Sequence, residues 1–211
     1  MKLAAVATAA GIAYALGWLT RQPEVAAARR EASIDALTGL VNRHGLKRQL
    51  QIRTERHQPY TIYFLDLNGF KAVNDAYGHR AGDQLLACFG RRLASQLAGH
   101  LVARLGGDEF VVVAAGRPDH HIVALLQATA TAPTSIRASP DPVILSAAIG
   151  VAYAPAGADP RSMLHTADMV MYRSKRTGEP CYAGAMIGRR VEESPRVRIR
   201  DARSVRVAET L

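Results

Sequence analysis

Hydrophobic positions divide the chain into a long apolar opening and a region where helical and strand periodicities alternate. From Leu3 to Leu19 every residue is apolar or small except Thr8, seventeen positions in all. That length is the lower limit for a helix that spans a bilayer. Glu24 to Ile34 follows Pro23 and is rich in good helix formers with little apolar surface, so it reads as a linker helix. Residues 43 to about 57 carry helical spacing, and residues 60–66 form a mostly apolar strand that stops at a carboxylate. Over residues 81–97, Leu85, Leu86, Phe89, Leu93 and Leu97 share one helical face. Residues 101–105 and 108–115 flank Gly106-Gly107, a pair suited to a tight hairpin turn with positive φ. Helix, strand and helix follow over about 119–131, 143–154 and 160–177, with Gly178 as the last stop.

Strands separated by helices, with one central hairpin, predict an α/β (α+β) palm-like fold. Its sheet is expected to be central and mainly antiparallel, with helices packed on it and the hairpin tip at the active site. At 211 residues the chain accommodates one ordinary domain with short extensions. The expected division is a membrane segment over 1–22, a linker helix over 23–34, a catalytic domain over 35–182 and a disordered basic tail over 183–211. Lys2 precedes the apolar stretch while Arg21, Arg29 and Arg30 follow it. This charge asymmetry places the bulk of the protein on the cytoplasmic side, attached to the inner face of the membrane. A cleaved signal peptide and a buried helix are the alternative readings.

Charge changes the picture little. The formal net charge is +9, and residues 183–211 alone carry seven arginines against four acids. Residues 35–182 hold sixteen Lys and Arg against twelve Asp and Glu, leaving +4. No interleaving of basic and aromatic residues points to nucleic acid, so none is expected as a partner. The two cysteines, Cys88 and Cys181, are too far apart in sequence for a paired motif and suggest neither a disulfide framework nor a zinc site.

The candidate chemistry lies at strand ends. Asp66 closes an apolar strand, and Asp108 and Glu109 follow the glycines of the hairpin. If neighbouring strands gather these acids, each raises the pKa of the others unless a hard cation such as Mg²⁺ neutralises them. Two such ions would suit in-line phosphoryl transfer. The alternative is that Asp66 caps a turn and the other two are turn polars. Asn68-Gly69-Phe70-Lys71 offers backbone amides and an ammonium to phosphates. Asn74 and Asp83, on either side of the Tyr77-Gly78-His79 turn, together match the Watson–Crick edge of guanine, whose N1 and N2 hydrogens a carboxylate accepts. Their plainer roles are a turn residue and a helix-start acid.

Five segments then identify a family. Asp35-Ala-Leu-Thr-Gly-Leu-Val-Asn-Arg43, Asp66-Leu-Asn-Gly-Phe-Lys-Ala-Val-Asn-Asp75, Tyr77-Gly-His-Arg-Ala-Gly-Asp83, Arg104-Leu-Gly-Gly-Asp-Glu-Phe110 and Ala167-Asp-Met-Val-Met-Tyr-Arg-Ser-Lys175 closely resemble the GGDEF-domain diguanylate cyclases. They occur in family order over residues 35 to about 182. The resemblance implies condensation of two GTP into cyclic di-GMP and pyrophosphate by a homodimer, each subunit presenting one GTP to the other. It implies that Asp66, Asp108 and the Leu67 carbonyl hold Mg²⁺ or Mn²⁺, two ions per site, and that Asp66, Asp108 and Glu109 form the catalytic set. Asn74 and Asp83 would select guanine, while Phe70, Lys71, Gly106, Gly107 and Lys175 would complete the substrate contacts.

Three departures from the family pattern bear on activity. Asn68 stands where a second acid is common, and Glu179 stands where Lys-x-x-Gly-Arg would place an arginine near phosphate. A solvated carboxylate there repels triphosphate by on the order of 1 kcal/mol. The Arg-x-x-Asp product-inhibition motif is replaced by Leu97-Ala-Gly-His100, so feedback through that site is not expected. The alternative to an active cyclase is therefore a weak or silent module that binds GTP or a protein partner. A regulatory partner is expected in either case, its identity unknown.

Overall fold

Tyr60–Asn68 (β1) lacks the polar alternation of a half-exposed strand because it is buried on both faces from Tyr60 through Leu67. It occupies the centre of a five-stranded sheet of order β2-β3-β1-β4-β5. The structure, a computed structural model, describes residues 33–183. In chain order they form α1 (Arg43–Glu55), β1, α2 (Phe70–Tyr77), α3 (His79–Gln96), β2 (Leu101–Gly106), β3 (Glu109–Ala115), α4 (His120–Thr131), β4 (Ser146–Ala154), α5 (Pro160–Thr177) and β5 (Cys181–Tyr182). All pairings are antiparallel except β4 with β5. The expected mainly antiparallel palm-like sheet with flanking helices is therefore the observed one.

The period-two geometry of the strands splits the core into two clusters. Tyr63, Leu65, Leu67, Phe110 and Val112 face α2, α3 and α4, where Leu85, Leu86, Phe89, Leu93 and Leu126 meet them. Ile62, Phe64, Val111 and Val113 face α1 and α5, against Leu46, Leu50, Ala167 and Met171. Helix starts follow the capping chemistry of the sequence. The Asn42 side chain accepts from the amides of His44 and Gly45, and the Asp159 side chain accepts from Ser162 N with Pro160 in the first turn.

Helix α5 lies unusually close to the sheet. A Cβ on Gly150 of β4 would overlap the Ala167 carbonyl and the Met171 amide and stand 2.7 Å from Met171 Cα. Beyond the short β5, the amide of Ile149 donates to Ser174 Oγ at 3.0 Å, so the helix also completes the ladder of β4. Opposite this, residues 33–42 form an entry turn on the β2 edge. Asp35 Oδ1 accepts from Thr38 N (2.9 Å) and Thr38 Oγ1 (2.6 Å), and both its oxygens accept from Arg104 Nη1 (3.0 and 3.1 Å). Arg104 N donates to the Val41 carbonyl at 2.8 Å, and Arg104 Nε to the Gly107 carbonyl at 3.0 Å.

Several boundaries differ from the sequence expectation. Ile34 bridges Val41, so the linker helix does not extend to it. The hairpin strands meet at Gly106 and Glu109, making Gly107-Asp108 the turn in place of Gly106-Gly107, because the register shifts between Arg104 and Gly106 and Leu105 bulges. β4 begins at Ser146, while Val143 pairs separately with Thr134. α2 is a helix of its own, started by Gly69 at φ 83°. Ala183 donates to the Val151 carbonyl at 2.9 Å, so the sheet edge continues one residue past the expected boundary. The expected membrane stretch 3–19, the rest of the linker and the tail from 184 lie outside the described residues. Among the described residues no helix is long and apolar enough to cross a membrane.

Two outcomes follow for stability. Gly150→Ala forces a methyl into helix backbone that cannot rotate away, and is expected to cost about 2 kcal/mol or more in urea unfolding. Burial raises the Asp35 carboxyl, but the bonds from Thr38 and Arg104 outweigh it and hold it below the ordinary 3.8. A depressed acid contributes stability that is present above its unfolded pKa and is lost as pH falls through its folded value. Asp35→Asn is therefore expected to lower stability near neutral pH by about 1–3 kcal/mol and to flatten the loss below pH about 4, read from urea midpoints against pH.

Candidate active site

The site is built where β1 ends beside the hairpin turn. Asp66 and Glu109 are directly opposite each other in the β1–β3 register, so both side chains project to the α1/α5 face. Leu67 N donates to the Asp108 carbonyl at 3.3 Å, which draws the turn onto the strand end. Gly107 supplies the turn with φ 53° and Gly106 precedes it at φ 143°, backbone that a side chain would strain.

Asp66 is 6% exposed, and it is held by the shortest ion pair among the described residues: Lys175 Nζ to Asp66 Oδ2, 2.7 Å. Burial lifts the Asp66 carboxyl above its ordinary range. The Lys175 hydrogen bond opposes this, while Asp108 and Asp168 add to it. Burial likewise raises Glu109, opposed by Arg43 and reinforced by Asp168, Asp66 and Asp108. Arg43 reaches both parts of the hairpin, with Nη2 3.3 Å from Glu109 Oε2 and Nε 3.4 Å from the Leu105 carbonyl. A cavity of about 410 Å³ opens between α1 and α5 at this point, bordered by Arg43, Glu109 and Asp168.

The expected site residues thus fall into two groups. Asp66, Asp108, Glu109, the Leu67 backbone and Lys175 converge at one strand end, with Gly106 and Gly107 beside them. Asn74 and Asp83 lie on the other face of the sheet, in α2 and α3, where Gly82 brings the helices together: a Cβ on it would overlap Asn74 Oδ1. Phe70 is 8% exposed and belongs to the core, so only its backbone is available to a ligand. Lys71 is exposed at the start of α2. Asn68 Nδ2 donates to Ser146 Oγ at 3.0 Å, and Glu179 is exposed just past the Gly178 cap.

Sequence reasoning missed three contributors. Arg43 and Arg104 were visible only as motif members, since both act across more than sixty residues of chain. Asp168 had a local signal: it lies seven residues before Lys175, two turns along the same helical face. The set of hard oxygen donors suits Mg²⁺ or Mn²⁺. A protein cation already sits on the most buried acid, which is a position where an ion fits. As placed, no three His, Cys, Asp or Glu residues among the described ones form a ready metal-binding cluster.

Comparison with known proteins agrees with this geometry. The family model described as diguanylate cyclase, GGDEF domain matches residues 32–181. Diguanylate cyclase DgcS of Shewanella oneidensis is 36% identical over 157 residues, covering 72% of this chain and 52% of the relative. Diguanylate cyclase TpbB of Pseudomonas aeruginosa is 39% identical over 170 residues, covering 75% and 39%. The chain therefore spans about half or less of these curated relatives. Among solved structures, the isolated GGDEF domain of TpbB superposes with a TM-score of 0.61 at 36% identity, covering 71% of this chain and 94% of that one. The coiled coil and GGDEF domain of DgcB from Caulobacter crescentus, in complex with c-di-GMP, gives 0.66 at 25% identity, covering 83% and 99%. With the family model matched over residues 32–181 and relatives at 36% and 39% identity, the chain belongs to the GGDEF-domain diguanylate cyclase family.

Proposed function

We propose that the chain condenses two molecules of GTP into cyclic di-GMP, releasing two pyrophosphates, within a homodimer in which each subunit presents one GTP. The observation that carries this reading is the pairing of Asp66 with Glu109 across β1 and β3, with Asp108 in the adjoining turn. In each half-reaction a ribose 3′-hydroxyl gives up its proton to solvent and its oxygen forms a bond to the α-phosphorus of the facing GTP, while the bond from that phosphorus to the oxygen bridging to the β-phosphate breaks and pyrophosphate leaves. Asp66, Asp108 and the Leu67 carbonyl are the groups to hold Mg²⁺ or Mn²⁺, two ions per site. When bound, the metal neutralises developing charge on the phosphate and acidifies the attacking hydroxyl. Glu109, steadied by Arg43, orients that hydroxyl. The amides at Phe70 and Lys71, with the Lys71 and Lys175 ammonium groups, receive phosphate oxygens. Asn74 and Asp83 select guanine. The backbone at Gly106 and Gly107 lets the nucleotide approach the hairpin closely.

The apolar sequence of residues 3–19, with arginines after it, supports attachment of this domain to the inner face of the cell membrane. The absence of both charges at Leu97 and His100 supports synthesis without feedback at that position. Control then falls to a partner or to the N-terminal segment, whose entry turn is bonded to the hairpin through Asp35 and Arg104.

A second reading, a weak or silent GTP-binding module, is favoured by two side chains. Glu179 places a carboxylate where phosphate would be met by an arginine, and Asn68 turns its amide to Ser146 where an acid would add to the ion site.

Incubation of the full chain with GTP and Mg²⁺ is expected to yield cyclic di-GMP. Asp66→Ala or Asp108→Ala is expected to lower kcat by about 10³-fold with the fold retained, the loss corresponding to several kcal/mol of charge stabilisation. A folded dimer that binds GTP but forms no cyclic product would establish the silent reading. Glu179→Arg replaces repulsion by attraction and is expected to lower the KM for GTP by about tenfold, or roughly 1.4 kcal/mol. An unchanged KM would place Glu179 away from the phosphates.

A further inference from the structure

Gly82 lies in the first turns of α3, buried, with ordinary helical φ. It therefore makes no use of the left-handed freedom that explains glycine at Gly69, Gly106 or Gly107. Glycine at an interior helical position is unfavourable relative to alanine, so something else must occupy the space that a side chain would take. That occupant is the Asn74 amide. A Cβ on Gly82 would overlap Asn74 Oδ1 and stand 3.0 Å from Asn74 Cγ and from Phe70 Cζ.

The same oxygen has a second peculiarity. Asn74 Oδ1 is buried and has no hydrogen-bond partner among the described residues. An unsatisfied buried acceptor is unfavourable in the free protein, and its cost is relieved by any ligand that brings a donor to it. The exocyclic amine of guanine is such a donor. Hypoxanthine has the same ring, the same O6 and the same N1 hydrogen, but lacks that amine.

We propose that Gly82 is a specificity-determining position: its missing side chain is the slot that holds the Asn74 amide against α3, beside Asp83, from which a turn of the amide about its last bond brings the buried oxygen to the 2-amino group of the base. The proposal rests on the reading of Asn74 and Asp83 as the guanine-selecting pair. It assigns Gly82 a positioning role, since Gly82 acts only through Asn74. The contrast with Gly150 shows why the role is separable from folding. A methyl at Gly150 meets helix backbone, whereas a methyl at Gly82 meets the ends of two side chains, which can turn aside. Gly82→Ala is therefore tolerated by the fold while the amide is displaced from its seat.

The test uses the full chain as wild type, Gly82→Ala, Asn74→Ala and the double variant. For each, the thermal midpoint is measured, together with the dissociation constants of 3′-deoxy-GTP and 3′-deoxy-ITP with Mg²⁺; neither nucleotide has the hydroxyl needed for turnover. Gly82→Ala is expected to keep or raise the midpoint. It is also expected to weaken 3′-deoxy-GTP by about tenfold with little change for 3′-deoxy-ITP, so that the preference collapses to that of Asn74→Ala. In the double variant the new methyl enters vacated space, and no further loss is expected beyond Asn74→Ala alone. If Asn74→Ala loses the preference but Gly82→Ala keeps it, the role of Gly82 is overturned and the guanine-reading pair stands. If Asn74→Ala keeps the preference, the pair itself fails, and Gly82 with it. Should Gly82→Ala lower the midpoint without recovery in the double variant, the methyl strikes something other than Asn74, and the proposal is equally overturned.

Discussion

A carboxylate at the end of a strand buried on both faces must be given a cation, and the Lys175–Asp66 pair meets that requirement here. An uncompensated charge in such a position is strongly unfavourable, and burial already pushes the Asp66 carboxyl upward. For Lys175 to reach it at 2.7 Å, the last turn of α5 must lie over the end of β1. That in turn needs the helix backbone flush against β4, which the hydrogen atom of Gly150 permits, and it needs Ser174 to take the Ile149 amide. The buried charge, the close helix and the small residue beneath it form one arrangement. Helix α1 follows the same logic on the neighbouring acid, bringing Arg43 to Glu109 from the same face.

The sheet keeps two tasks apart. Even-numbered residues of β1 lead to Asp66 and the acidic cluster on the α1/α5 face, while odd-numbered ones pack under α2 and α3, which carry Asn74 and Asp83. The acids and the Asn74 and Asp83 pair thus stand on opposite sides of one strand and approach only at its end, where Gly69 turns the chain into α2. The entry turn joins this system from outside. Arg104 is 10% exposed, bonded to Asp35 on one side and to the Gly107 carbonyl on the other, so the position of residues 33–42 and that of the hairpin tip are mechanically linked.

Most of the elements were legible in the sequence because their signals are local. The apolar strand ending at Asp66, the helical stripe from Leu85 to Leu97, the glycine pair of the hairpin and the Gly178 stop all appear where periodicity and cap chemistry place them. The turn itself moved by one residue, to Gly107-Asp108, because the bulge at Leu105 depends on how β2 pairs with β3, which no local pattern reveals. β5 is two residues long, too short for any period, and exists only because β4 offers it an edge. Within the site, Asp66, Asp108 and Glu109 were readable from the motifs, but the cations on Asp66 and Glu109 were not. Lys175 was expected at phosphate and is found on Asp66, a contact that spans the whole domain. Gly150 and Gly82 carry no turn signal, since their importance lies in what a side chain would strike.

The balance of charge at the strand end bears on what the site is built to receive. Asp66, Asp108, Glu109 and Asp168 act on one another closely enough to raise both Asp66 and Glu109, whereas only Lys175 and Arg43 among the protein cations oppose them there. Four carboxylates against two cations leave a formal deficit of two positive charges, the charge of one divalent ion. Lys175 is also the more exposed member of its pair, with a side chain 39% exposed against 9% for Asp66. If a hard cation took the place of the lysine on Asp66, the carboxylate is the member of the pair that the sheet would hold in position. Lys175 is thus the counter-ion of the buried acid in this structure, and the phosphate contact proposed for it requires that pair to open.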